Sequence, residues 1–217
     1  MKQIHELVDT IRFEKDIKLT REIKVEAYNK AFLTYIASGR SAAVFLIKDT
    51  DLALKVFHPY FESITKAETN IYRQLEGIHF YPNMYEAGQN FIVIDYIEGT
   101  TLFDCLIEGI PIKEETIYQV EKALHAAKNR GLNPSDIHLK NIILTPDETI
   151  KLIDVARFQQ EKECQQWRDL TYAYHHFYKQ EYFPKKLSGK VLNFISYMYK
   201  HNLLQVLTKN RKNNPVA

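Results

Sequence analysis

The sequence predicts an α+β protein in two parts, a strand-rich part first and a mainly helical part after it. Three observations carry this. Short apolar runs separated by turn residues crowd the first hundred positions. Beyond Gly99 the apolar residues recur at helical spacing. A polar segment, Asp136-Ile137-His138-Leu139-Lys140-Asn141, then interrupts the helical pattern and is followed by two short apolar runs.

In chain order, Ile4, Leu7, Val8 and Ile11 open the sequence on one face of an amphipathic helix. Alternation around Ile23, Val25, Phe32 and Tyr35 suggests strands. Val44-Phe45-Leu46-Ile47 and Leu52-Ala53-Leu54-Lys55-Val56-Phe57 flank Lys48-Asp49-Thr50-Asp51, a hairpin pattern. Ile64, Ala67, Ile71 and Leu75 mark a helix that ends near Gly77, and Phe91-Ile92-Val93-Ile94 reads as a buried strand. Ile117, Val120, Leu124 and Ala127 define a long helix that stops at Gly131. Ile142-Ile143-Leu144 and Ile150-Lys151-Leu152-Ile153 enclose the turn residues Pro146-Asp147-Glu148. From Trp167 the pattern is helical to about Leu207. The division expected is an N-terminal helical and extended segment over 1–30, a small strand-rich part over 31–97, a helical part over 98–208, and a disordered basic tail over 209–217.

Composition excludes several classes. The net charge of +2 gives no electrostatic reason to expect nucleic acid. The only hint of it is the Lys209-Arg211-Lys212 cluster in the tail. Cys105 and Cys164 are far apart and form no CxxC pair, so neither a disulfide framework nor a zinc site is suggested and a reducing, cytoplasmic setting fits best. The first residues lack the apolar centre of a signal peptide. The most apolar late stretch, Val191 to Leu207, is broken by Lys200 and His201 and reads as a buried helix rather than a membrane span.

The chemistry concentrates in the second part. Asp136 and Asn141 lie five positions apart in a loop, and Asp154 follows at the end of a two-strand hairpin that would return it to Asn141. Asp and Asn oxygens are hard ligands suited to magnesium. Magnesium on nucleotide phosphates, with an acid to orient a hydroxyl, is the minimum for phosphoryl transfer. The plainer alternative is that Asp136 and Asn141 cap turns. In the first part, Lys55 lies in a strand otherwise destined for burial and therefore needs a partner. Glu68, on the next helix, is the natural one; the alternative is a snorkelling lysine and a solvated helix charge.

Together these residues resemble the protein-kinase-like superfamily. Its catalytic loop, H-R-D-x-x-x-x-N, and metal-binding turn, D-F-G, align Asp136 with the catalytic base and Asn141 and Asp154 with the metal ligands. Ala37-Ser38-Gly39-Arg40-Ser41-Ala42-Ala43-Val44 aligns with the glycine-rich phosphate loop, of which only the middle glycine, Gly39, is kept. Ala53-Leu54-Lys55 resembles V-A-I-K, which gives Lys55 and Glu68 the role of the phosphate-positioning pair. Ile94-Asp95-Tyr96-Ile97 looks like the hinge whose backbone binds adenine, and Asp169 resembles the helix acid that supports the catalytic loop. The resemblance implies a two-lobed fold, ATP and magnesium as cofactors, and a protein or small-molecule hydroxyl as acceptor.

The pattern also departs from that of typical protein kinases. Pro134 and Ser135 replace His and Arg, Val155 and Ala156 replace Phe and Gly, and no A-P-E lies between Asp154 and Asp169. His138, in place of the usual Lys, is more like aminoglycoside-type phosphotransferases. The chain is most similar to compact RIO-like or lipopolysaccharide-kinase-like bacterial members, which implies a serine/threonine protein kinase. A small-molecule or sugar kinase of the same fold and a pseudokinase scaffold are the alternatives.

Overall fold

A computed structural model describes residues 2–14, 22–161 and 164–200. Helix α1 (Lys2–Asp9) opens the chain, and strands β1 (Arg12–Phe13) and β2 (Val25–Ala27) pair with each other. Strands β3 (Leu33–Ser38), β4 (Ala42–Ile47) and β5 (Leu52–Phe57) follow, then helix α2 (Glu62–Leu75), β6 (Met84–Ala87) and β7 (Phe91–Asp95). These last five strands form one antiparallel sheet in the order β3-β4-β5-β7-β6. The helical part contains β8 (Thr100–Thr101), α3 (Leu102–Glu108) and α4 (Glu114–Asn129). After them come β9 (Ile142–Leu144), β10 (Ile150–Leu152), α5 (Gln166–Ala173) and α6 (Gly189–Lys200). Strands β10, β9 and β8 make a second, three-stranded antiparallel sheet. This mixture of antiparallel sheets and helices is compatible with a kinase-like fold.

The central strands are buried on both faces, which is why they read as unbroken apolar runs. Successive side chains of a strand point to opposite faces. Ala43, Phe45, Leu54, Val56, Phe91 and Val93 face outward and meet Val8, Ile11 and Ile23, so the N-terminal segment covers the outer face of the sheet. Ala42, Ala53, Phe57, Ile92 and Ile94 face the other way and join a cluster that continues through α2, α3 and α4 to Trp167 and Leu192.

The structure adds one helix to the sequence reading and corrects one expectation. The short helix α3 was not apparent from spacing, because seven residues hold too few repeats. Its ends are nonetheless written in the sequence. The Thr101 hydroxyl accepts from the Asp104 N–H at 3.1 Å, and Gly109 closes the helix in the left-handed region. The helical run expected from Trp167 to Leu207 is also not continuous. A π-helical turn, Tyr174–Tyr178, follows α5, and the chain leaves helix until α6 begins at Gly189. Pro184 in this stretch has no N–H for a helical bond. The expected basic tail, 209–217, and the final part of the helical run lie outside the described residues.

Candidate active site

Lys55 sits in the middle of β5, opposite Val44 of β4 on one side and Ile92 of β7 on the other. Strand alternation turns its side chain to the face covered by α2. There its Nζ donates to both Glu68 oxygens, at 2.7 and 2.9 Å. The Lys55 side chain is 12% exposed and that of Glu68 is 0% exposed. A third contact comes from far along the chain: the same ammonium lies 3.1 Å from Asp154 Oδ1. One buried cation thus joins the sheet, α2 and the residue that follows the β9–β10 hairpin.

Burial alone would push the Lys55 ammonium toward deprotonation, but the Asp154 and Glu68 carboxylates outweigh it and raise its pKa. The Lys55 charge holds the Asp154 carboxyl below the ordinary carboxylate range, with burial opposing and His138 and Arg157 adding to the effect. Glu68 moves upward because it is dry, and the ammonium on both its oxygens works against that shift.

The hairpin brings the loop residues to the same place. Ile153 N–H donates to the Asn141 carbonyl at 2.9 Å, which sets Asp154 directly beside Asn141. Asn141 Nδ2 donates to the Asp136 carbonyl at 3.3 Å and fixes the loop between them. Asp136 has φ +61° and Asp154 φ +59°. The other non-glycine residues at positive φ among those described, Asp49 and Glu148, lie in hairpin turns. The left-handed region is uncommon for side-chain-bearing residues and recurs at sites where a group must be aimed. The two acids singled out from the sequence occupy it outside any hairpin.

The remaining predicted positions fall as follows. Ala37 pairs with Val44 and Ser38 with Ala43, and the turn between closes through Gly39 N–H to the Ala42 carbonyl at 2.8 Å. The Gly39 carbonyl accepts from Ile23 N–H at 2.9 Å, so the N-terminal segment is fastened to this turn. In the hinge stretch, the Asp95 carboxylate is engaged by Asn83, at 2.7 Å from the N–H and 2.9 Å from Nδ2, and by the Tyr85 hydroxyl at 2.6 Å. Tyr96 N–H donates to the Asp51 carbonyl at 2.8 Å. The Asp95 side chain and the Tyr96 N–H are therefore committed to the fold, and Ile97 follows them past the end of β7. Asp169 accepts from the Tyr199 hydroxyl of α6 at 2.7 Å.

Two neighbours escaped the sequence reading. Arg157 Nε lies 3.3 Å from Asp136 Oδ2 and links the loop acid to the segment after Asp154. The only signal was a cation three residues past Asp154 in a stretch otherwise turning into the core. Tyr72, one turn beyond Glu68 on α2, has a buried hydroxyl with no hydrogen-bond partner. Burial first, then the Glu68 and Asp154 charges, disfavour its ionisation.

Among the described residues no group of three or more His, Cys, Asp and Glu side chains gathers as a metal site. The donor set at hand is one carboxylate and one amide, those of Asp154 and Asn141. Two hard oxygens fit magnesium, which takes few protein ligands when phosphates supply the rest.

No protein-family model matches the chain. It is 48% identical over 182 residues to "Putative serine/threonine-protein kinase YrzF" of Bacillus subtilis, covering 83% of this chain and 85% of that protein. A shorter match, 35% identical over 80 residues, is to a protein of Clostridium acetobutylicum named a probable serine/threonine-protein kinase; it covers 33% of this chain and 12% of that protein. The chain therefore belongs to the kinase-like family of which YrzF is a member.

Proposed function

We propose that the chain is an ATP- and magnesium-dependent phosphotransferase that moves the γ-phosphate to an acceptor hydroxyl, acting as a serine/threonine protein kinase of the compact bacterial type. The observation that carries this is the Lys55 ammonium shared between Glu68 and Asp154. It is a buried cation pinned in place, with one face turned to a half-exposed carboxylate. Lys55, oriented by Glu68, would engage nucleotide phosphates under the Gly39 turn. Asp154 and Asn141 would hold magnesium, which when bound neutralises charge developing on the transferred phosphate. Asp136, steadied by Arg157, would accept the acceptor's hydroxyl proton. Positioning and fixed charge are the whole of the catalytic apparatus in this reading. The relatives' names support it, and so does the retention of all five polar residues against a pseudokinase role.

A second reading, a small-molecule kinase of the same fold, draws on the segment after Asp154. Val155 and Phe158 are buried at once, and Asn133 N–H donates to the Phe158 carbonyl at 2.7 Å. A segment that folds straight back into the core offers little platform for a polypeptide acceptor.

The test is radiolabelled ATP with magnesium, offered alongside a serine/threonine peptide library and a panel of sugars and aminoglycosides. Label on peptides supports the first reading and label on a small molecule the second. No magnesium-dependent transfer or hydrolysis by folded protein overturns both.

A further inference from the structure

The stretch from Val191 reads in the sequence as a buried helix, and α6, its described part, is not one. Between Gly189 and Tyr199 only Leu192 is buried. Leu192 joins the core cluster. Tyr199, seven positions on and therefore on the same edge, donates its hydroxyl to Asp169 at 2.7 Å. The helix thus leans on the fold along one edge. Val191, Phe194 and Ile195 form a stripe beside that edge and are 46%, 61% and 45% exposed. Lys190, Asn193 and Ser196 take the opposite side and are also exposed. An amphipathic helix of a globular protein turns its apolar stripe to the core. Here most of the stripe faces outward, and a contiguous exposed apolar patch marks an interaction surface.

Charge says what that surface meets. Positions 182–217 hold seven Lys and Arg residues and no Asp or Glu. The rest of the chain holds 22 Lys and Arg against all 27 Asp and Glu, and is net acidic. Such asymmetry along a chain points to a polyanionic surface as partner. Lys185 is spent on the Tyr178 carbonyl, but Lys186 and Lys190 are exposed. Lys190 stands one turn before Phe194, at the border of the stripe. Large apolar side chains flanked by free lysines, in a segment without acids, match the boundary of an anionic lipid layer. The acyl region takes the stripe and the headgroups take the lysines. A second copy of this segment would bring the same uncompensated charge. A nucleic acid would answer the lysines and offer the stripe nothing. Among the described residues no helix is long and apolar enough to cross a membrane, so α6 lies along the surface rather than through it.

We propose that α6 is an interfacial helix that docks the chain on an anionic membrane surface. Val191, Phe194 and Ile195 enter the boundary between headgroups and acyl chains, and Lys186 and Lys190 meet the headgroups. This surface does not depend on the phosphotransferase reading.

The test is co-sedimentation of the full chain with vesicles of phosphatidylcholine alone and of phosphatidylcholine with an equal share of phosphatidylglycerol. Binding is expected to the phosphatidylglycerol vesicles, to weaken as salt is raised, and to be at least tenfold weaker on phosphatidylcholine alone. Phe194→Ser combined with Ile195→Ser should weaken it about tenfold or more, because apolar insertion is lost. Lys186→Ala combined with Lys190→Ala should also weaken it about tenfold or more, and more at low salt than at high. Phe32→Ser, at an exposed apolar residue just before β3, should leave binding unchanged. All these side chains are exposed, and thermal melting verifies that each variant folds. The proposal is overturned if the chain binds neither vesicle, if it binds both equally, or if the Phe194 and Ile195 variant binds as wild type does. It is also overturned if the chain ignores vesicles and instead retards a mixed-sequence duplex DNA, or forms a dimer that the Phe194 and Ile195 variant abolishes.

Discussion

Lys55 and Asp154 are ninety-nine positions apart in the sequence and 3.1 Å apart in the fold. The contact closes the distance between the five-stranded sheet and the β9–β10 hairpin. It does so with a side chain that Glu68 already holds by both carboxylate oxygens. Lys55 cannot be altered without disturbing two carboxylates, one of them fully buried.

For that reason Lys55→Ala should cost stability as well as activity. Removing one partner of a buried pair leaves the other uncompensated, at about 3 kcal/mol. For a chain of this size that lowers Tm by about 6–12 °C. Lys55→Met combined with Glu68→Gln should recover much of the loss while remaining inactive. Thermal melting of the three proteins, with ATP turnover measured alongside, checks both halves.

The Asp154 carboxyl is held below its ordinary range, and this fixes the sign of a pH effect. A depressed acid contributes stability above its unfolded pKa, about 3.9, and that contribution disappears as pH falls through the lower folded value. The stability difference between wild type and Asp154→Asn should therefore be present at neutral pH and shrink in acid. Asp154 is about half exposed, so solvent screening holds the effect to about 1 kcal/mol or less. Denaturant unfolding from neutral pH down to about pH 3 measures it.

The two candidate acids should separate kinetically. Asp154→Asn removes a charged hard ligand and should abolish magnesium-dependent nucleotide binding. Asp136→Asn should leave nucleotide affinity within about twofold and lower turnover by about a hundredfold or more, because a positioned proton acceptor acts only at the transfer step. Equilibrium binding and steady-state rates on both variants are the measurement. Equal losses of affinity would contradict the division.

Two glycines should respond oppositely. A Cβ on Gly39 would meet only the Ala42 carbonyl oxygen at 3.9 Å, an ordinary contact, so the fold itself does not require glycine there. Gly39→Ala should melt within about 0.5 kcal/mol of wild type and, on the proposed reading in which this turn covers nucleotide phosphates, lose nucleotide affinity. A Cβ on Gly99, at φ +151°, would lie 2.4 Å from the Leu144 carbonyl oxygen, where β8 crosses β9. Gly99→Ala should destabilise by about 2 kcal/mol or more. Paired melting and nucleotide-binding curves distinguish the two.

Activity should not depend on phosphorylation after Asp154. The stretch from Val155 to Arg168 contains no Ser, Thr or Tyr. Ser135, where an arginine would pair with a loop phosphate, is buried and donates its hydroxyl to the Asn133 carbonyl at 3.1 Å. Neither the phosphate acceptor nor its cationic partner is present. Phosphatase treatment should leave turnover unchanged; a large loss that maps to phosphate removed near the site would contradict this.

Much of the architecture was legible because it rests on local regularities. The near-continuous apolar run Ala53-Leu54-Lys55-Val56-Phe57 and the spacing of Ile64, Ile71 and Leu75 are properties of single elements. A strand between two buried faces and a helix with one buried stripe write those patterns directly. The polar residues Lys55, Glu68, Asp136, Asn141 and Asp154 could be picked out for a related reason. Lys55 in an apolar strand is costly unless partnered, which points to Glu68, while Asp136, Asn141 and Asp154 stand out by their spacing around a loop and a hairpin.

What the sequence left open was which groups meet. The Arg157–Asp136 pair, the third contact on Lys55, and the unpaired hydroxyl of Tyr72 depend on how elements far apart in the chain pack against one another. Spacing along one strand or helix carries no information about them. The same holds for the hinge stretch. The sequence reading gave its backbone to adenine, and only the pairing of β7 with β5 and β6 commits the Asp95 carboxylate to Asn83 and the Tyr96 N–H to Asp51. The chain alone determined its elements and the residues that need partners, because those follow from periodicity and the cost of burying charge. Tertiary structure decided the partners, because a hydrogen bond requires two groups within about 3 Å, and only the packed fold sets that distance.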